Sequence, residues 1–309
     1  ASFNSVKVIY ILIPILIIPQ LLFSGVIVKF DKLNPLFGDE SGVPLIGNVM
    51  ASRWAYEAMA VTQFKDNSYN KIFYQYEKNK SFATWKKDYW LQDLNSRLDF
   101  LKTNHESTDS LAIVECEKSY EVLKNEIARE EQFIKNVKCE GCVASFESKV
   151  YSDEMFDLTK NYFSILKNHY KSIVDSNRVK IDQKTQEIIT KYGKEKYHEL
   201  VDDNTNEAMT QFATNKTDLT KLIEYNGFLI QKSDPIYLDP YDKGFFDAQF
   251  YAPRKKFFGM YVGTFTANVL VIWFMCVILT VTLYYDLLKK LLDGMEKLFG
   301  KINFKKKTS

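Results

Sequence analysis

Charge disappears from the chain in two places. No charged residue occurs between Val8 and Val28, and Lys7 and Lys29 bracket the run. At the rise of an α-helix such a run reaches roughly 30 Å, the thickness of a bilayer's hydrocarbon core. A second uncharged run extends from Phe257 to Tyr285 and is most apolar from Asn268 to Leu283. Soluble helices rarely exclude charge for so long, so both runs are predicted to span a membrane. The first run is too long for a secretory h-region, and no small-residue cleavage site follows it. The chain begins with Ala1 rather than Met, so it is expected to be a piece of a longer polypeptide.

Between the runs the pattern is helical. The seven prolines lie at positions 14, 19, 35, 44, 235, 240 and 253, and only Gly141 and Gly193 interrupt Val49 to Asn226. A stretch so poor in breakers predicts long helices, here over residues 68–103, 109–138, 152–191 and 194–214. Asp109 and Ser152 are suited to N-cap positions, and the turn Cys139-Glu140-Gly141-Cys142 closes a hairpin. Ile113, Cys116, Tyr120, Leu123, Ile127, Glu130, Ile134 and Val137 alternate by three and four, with Glu130 the break in an otherwise apolar seam. Leu91, Leu94, Leu98 and Leu101 repeat the spacing, as do Met155, Leu158, Tyr162 and Ile165. Such seams bury one side of a helix against another, within one bundle or in an oligomeric coiled coil. After Asn226 the text changes to Phe228, Leu229, Ile230, Pro235, Tyr237 and Pro240, which predicts an extended return segment.

Three shorter features refine this outline. Pro14 and Pro19 each remove a backbone donor inside the first span, so that helix is expected to bend. Residues 43–64 are too short and too polar for a third span. Arg53 and Glu57 lie four apart and share a helical face there, and Trp54, Tyr56 and Met59 give the segment the character of a bilayer interface. From Leu287 to Ile302, Leu287, Leu288, Leu291, Leu292, Met295, Leu298, Phe299 and Ile302 fall on one stripe, as in a basic helix resting on an anionic leaflet or on a cytoplasmic partner. Lys289, Lys290, Lys297, Lys301, Lys305, Lys306 and Lys307 put this tail in the cytoplasm by the positive-inside rule, which exports the middle of the chain. Arg254, Lys255 and Lys256 pull the other way.

Composition narrows the function classes. Across 309 residues Lys+Arg is 41 and Asp+Glu is 39, a net charge of +2. That is no field for displacing counterions from nucleic acid. Fifteen per cent aromatic residues exclude a disordered chain. No phosphate-cradling GxxxxGK[ST] and no GxGxxG occurs. His105 falls between two predicted helices and His169 and His198 on separate ones, without a second ligand at helical spacing, so no metal site is read. No serine or cysteine has a readable base partner, so no enzyme activity is assigned to this chain. Of four cysteines, Cys139 and Cys142 fit a local disulfide on an exported domain, a bond from this pair to Cys116, or buried thiols.

The order of a span with Pro19, then Phe23-Ser24-Gly25, Asp31, Ser52-Arg53-Trp54-Ala55-Tyr56-Glu57-Ala58-Met59 and Phe64 resembles the end of the membrane domain of ABCG/White-type ABC transporters, a type-2 exporter fold. The resemblance covers residues 8–65 and 255–285. Together with the patterns above it gives an all-α membrane protein: two transmembrane helices (residues 1–30 and 257–285), a short re-entrant or interfacial external segment (31–65), an inserted helical-hairpin ectodomain (66–226), an extended return segment (227–256) and a cytoplasmic basic amphipathic tail (286–309). The insertion, about 190 residues, departs from the modest external loop usual in that family and resembles long bacterial versions. The implied function is the C-terminal part of an ATP-driven transporter's membrane subunit. Pro14, Pro19, Phe23, Ser24, Gly25, Arg53, Trp54, Tyr56 and Glu57 are the implied path or gate residues. The implied partners are the lipid bilayer, a nucleotide-binding domain carrying ATP and Mg, the remaining spans and a second half in a dimer, with no nucleic acid. The implied location is a bacterial inner membrane. The alternative reading is a two-span envelope sensor or scaffold with a helical-bundle ectodomain.

Overall fold

Two side-chain caps open the long helices of the middle region. The Asp109 carboxylate accepts from the Leu111 amide at 3.3 Å, and the Ser152 hydroxyl accepts from the Met155 amide at 3.1 Å. Each occupies an orphan donor of a first helical turn. The computed structural model describes residues 6–25, 43, 45–240, 249–257, 259–287 and 289–290. In chain order the helices are α1 (Val6–Leu22), α2 (Leu45–Val49), α3 (Ala51–Lys65), α4 (Asn70–Trp85), α5 (Leu91–Asn104), α6 (Ser110–Phe133), α7 (Cys142–Glu147), α8 (Asp153–Tyr192), α9 (Lys194–Asn204), α10 (Glu207–Thr214) and α11 (Thr264–Tyr284). The described strands form two antiparallel hairpins: β1 (Leu222–Tyr225) with β2 (Phe228–Gln231), and β3 (Arg254–Phe257) with β4 (Met260–Gly263). The protein is mostly helical.

The chain divides into two units. One comprises Val61–Asp239 and Tyr251–Pro253. Its core joins α5, α6, α7 and α8 through Leu91, Leu94, Leu98, Leu101, Leu123, Ile127, Phe146, Phe163 and Leu166. The predicted helix over 68–103 is interrupted by one π-helical turn, Lys86–Trp90, in which the Leu91 amide donates to the Lys86 carbonyl. Residues five apart then share a side, and Trp85, Lys86, Trp90 and Leu91 are all buried. The helix predicted over 194–214 is two helices, because Asn206 caps α10 through the Met209 amide. The seam read on α8 needs correction. Leu158 and Ile165 are each 45% exposed, and Thr159 and Leu166 go inward instead. The buried positions Met155, Thr159, Tyr162, Leu166, Tyr170 and Val174 step by four more often than by three. That is the period of a straight α-helix rather than of a heptad. Ile113, at the head of the α6 seam, is also exposed.

The extended return segment is in part a hairpin. β1 and β2 are joined by Asn226-Gly227, both with positive φ (51° and 72°), the signature of a two-residue type I′ turn.

The other unit comprises Ala1–Ala60, Pro240–Phe250 and Arg254–Ser309. Helix α11 has 21 residues and a mean hydropathy of 2.2, and 11% of its apolar window is buried. Among the described residues it is the helix long and apolar enough to cross a membrane. A core helix of a soluble protein would be mostly buried. The predicted span over 257–285 therefore starts late: Gly259, at φ 81°, and Gly263 break the helix, and Tyr261 and Val262 favour the strand that precedes it. Helix α1 has 17 residues, about 25 Å at the α-helical rise. It falls short of the two full spans expected, and residues 26–30 of its predicted run lie outside the described residues. The amphipathic tail beyond Lys290 lies outside them as well.

Candidate functional site

The predicted gate residues lie at the end of α1 and along α3, except Pro14, which is in the middle of α1. The last four carbonyls of a helix have no intrahelical partner, and at the end of α1 side chains answer two of them. The Ser52 hydroxyl donates to the Gln20 carbonyl at 2.7 Å, and the Ser24 hydroxyl donates to Leu21 at 2.7 Å. The Phe23 amide donates to the Pro19 carbonyl at 2.9 Å, and Gly25 takes a φ of 81°. Phe23, Ser24 and Gly25 are thus the terminating turn of α1, which only a residue tolerant of positive φ completes. Pro14 is exposed and Pro19 half-buried, both inside the helix.

On α3 the inward face carries Arg53, Trp54, Glu57, Ala58 and Ala60. The Trp54 indole donates to the Asn48 carbonyl at 2.8 Å. Tyr56 is half-buried and stacks on Phe250 at 6.3 Å between ring centroids. The expected Arg53–Glu57 pair is present, at 3.6 Å. Glu57 is fully buried and takes stronger partners from beyond its own helix. Lys255 on β3 donates to Oε1 at 2.6 Å. The Asn268 amide on α11 donates to Oε2 at 2.9 Å and to the Trp54 carbonyl at 3.0 Å.

Burial alone would raise the Glu57 carboxyl, but Lys255 and Arg53 outweigh it and hold the group below the usual carboxylate range. Burial lowers Lys255, partly offset by Glu57, and it lowers Arg53 in the same way. One carboxylate therefore joins three elements, α3, β3 and α11, while Ser52 ties α3 to α1.

No family model, curated protein or solved structure matches the chain.

From sequence, Lys255 reads only as a topology signal and Asn268 only as the start of an apolar run, neither as a site residue. The available signal was an amide at the head of an otherwise apolar run, where a polar side chain needs a partner. A second buried polar group was also missed, in the other unit. Glu130, the break in the α6 seam, accepts from Lys86 at 2.6 Å and from the Tyr170 hydroxyl. Neighbouring Glu126 accepts from the Trp90 indole at 2.7 Å and from the Leu229 amide at 2.7 Å, and pairs with Arg129. The Lys86 ammonium sits 3.5 Å from the centre of the Trp90 ring.

Cys139 and Cys142 are bonded to each other, and Cys116 is free and buried. Among the described residues no group of three or more His, Cys, Asp or Glu side chains is placed to hold a metal ion. Among the described residues the Glu57 arrangement shows no nucleophile beside a base. Its ion pairs and hydrogen bonds join α3, β3 and α11 as a latch between segments.

Proposed function

We propose that this chain is the C-terminal part of the membrane domain of an ATP-driven transporter of the ABCG/White kind. In this reading α1 and α11 are neighbouring spans, and residues 43–65 form a re-entrant or interfacial cap on the external side. The middle of the chain is an ectodomain outside the cytoplasm of a bacterial inner membrane. ATP and Mg act in a nucleotide-binding domain that partners this chain, together with further spans and a second half. Nucleotide shifts the assembly between inward-open and outward-open states only through different affinities for the two.

One observation carries the reading. The α3 segment is bonded to the C-terminal end of α1 through Ser52 and to the N-terminal end of α11 through Trp54 and Glu57. A chain that leaves a bilayer by one helix and re-enters by another brings those two ends to the same side, and a cap must seal there. The Cys139–Cys142 bond supports an oxidising, extracytoplasmic setting for the middle region.

The test uses the complete gene product in cells and in proteoliposomes. Glu57→Gln is expected to lower transport while leaving ATP binding unchanged. A cysteine replacing Leu219, which is 97% exposed, is expected to react with an impermeant thiol reagent in whole cells whose outer membrane, if present, has been opened. Transport unaffected by Glu57→Gln overturns the gate role. A Leu219→Cys site that reacts only after the inner membrane is broken overturns the orientation.

A further inference from the structure

Arg53 is out of balance with its surroundings. Its side chain is 2% exposed, yet Nε and Nη1 have no hydrogen-bond partner among the described residues. Its contact with Glu57, Nη2 to Oε2, is 3.6 Å, too long for a hydrogen bond. Glu57 is committed elsewhere, with Oε1 to Lys255 and Oε2 to Asn268. Asn268 Oδ1 also lacks a partner. The cluster thus sets two cations against one carboxylate among the described residues. Two aromatic rings hold the guanidinium in place, Trp54 at 4.0 Å and Phe250 at 5.7 Å.

A guanidinium is a planar fork shaped for two parallel bonds to an oxyanion. Here the fork is present, and among the described residues no neighbour supplies it with a hydrogen-bonded oxyanion. Buried donors left unmade are costly, so any movement that satisfies them is favoured. Glu57 loses no hydrogen bond when Arg53 turns away, because its two oxygens stay with Lys255 and Asn268. The place also selects the ligand. The cluster lies where α1 ends and α11 begins, and on those ends Leu21, Leu22, Phe265 and Leu270 are exposed.

We propose that Arg53 binds an oxyanion, a phosphate or carboxylate, at the head of an amphiphile whose apolar tail lies along α1 and α11. The side chain reaches it by swinging on its flexible stem from between the two rings. This binding needs neither nucleotide nor transport, so it stands or falls apart from the transporter reading.

The experiment is native mass spectrometry of the purified chain in dodecyl maltoside, titrated with dodecyl phosphate, dodecanol or inorganic phosphate. Wild type is expected to retain dodecyl phosphate about tenfold more tightly than Arg53→Gln, with Arg53→Lys in between because an ammonium lacks the fork. Dodecanol is expected to show no dependence on Arg53. Inorganic phosphate held with the same dependence assigns the site to free anions, and dodecyl phosphate held alone assigns it to lipid-like ones. Equal retention of dodecyl phosphate by wild type and Arg53→Gln overturns the proposal. Should Arg53→Gln fail to fold, equal retention by wild type and Arg53→Lys overturns it, as does a wild-type chain that holds dodecanol as well as dodecyl phosphate.

Discussion

Among the described residues the molecule buries charge in two places and answers it differently in each. In the unit built on α4–α8, the four carboxylate oxygens of Glu126 and Glu130 all have donors: Leu229, Trp90 with Arg129, Tyr170 and Lys86. In the unit that contains α11, Glu57 is satisfied but Arg53 keeps two unpartnered nitrogens among the described residues. The first is a closed network of the kind that fixes one packing register. The second leaves a cation unused. Satisfaction, rather than burial, separates a network that holds a core from one poised to bind.

Removing one partner from each network sharpens this contrast, and hydrogen exchange resolved by segment reads the two units separately. The largest loss is expected for Glu130→Ala, about 3–5 kcal/mol of protection in α4, α6 and α8, since it strands Lys86 in the core. Restoring stability with the apolar pair Lys86→Met and Glu130→Leu would identify a role in packing. Glu57→Gln is expected to cost about 3 kcal/mol around α3 and β3, where Lys255 loses its charge partner.

Tyr170→Phe is expected to cost about 2 kcal/mol by leaving one Glu130 oxygen unanswered. Burial first, then Glu130, raises the Tyr170 phenol above its ordinary value of 10.0. Its contribution is therefore complete below that value and is lost as pH rises toward the higher folded value. Wild type should lose stability in that alkaline window more steeply than Tyr170→Phe. Glu57 behaves in the opposite sense. Its folded value is depressed, so its contribution is complete above the usual carboxylate range and fades as pH falls through the depressed value. The smallest effect belongs to Arg53→Leu, within about 1 kcal/mol of wild type or stabilising, because it removes a buried charge that makes no hydrogen bond among the described residues. A loss as large as that of Glu130→Ala would erase the contrast.

Much of the helical frame was legible because its signals are local. Asp109 and Ser152 mark helix starts by side-chain chemistry, Leu91 to Leu101 mark a buried stripe, and Arg53 and Glu57 are neighbours by helical spacing. The misses are of two kinds. Asn226-Gly227 was a readable turn signal overlooked beside the prolines that follow. The rest depended on distant partners. Glu130 reads as a flaw in its seam until α4 and its π turn bring Lys86 to it, 44 residues away in sequence. Lys255 reads as a topology signal until it meets Glu57, 198 residues away. Leu158 and Ile165 misled because a short window fits a heptad nearly as well as a straight helix, and the drift shows only over the full 40 residues of α8.

The central claim is that α11 lies in a bilayer with the Glu57 latch at its N-terminal end. Nitroxide labels placed singly at Met260, Phe274 and Asp286 in liposome-reconstituted protein test it most directly, by relaxation with oxygen and with a water-soluble nickel chelate. The account predicts strong oxygen and weak nickel relaxation at Phe274, and the reverse at Met260 and Asp286. Strong nickel relaxation at Phe274 would place the helix in water and contradict it.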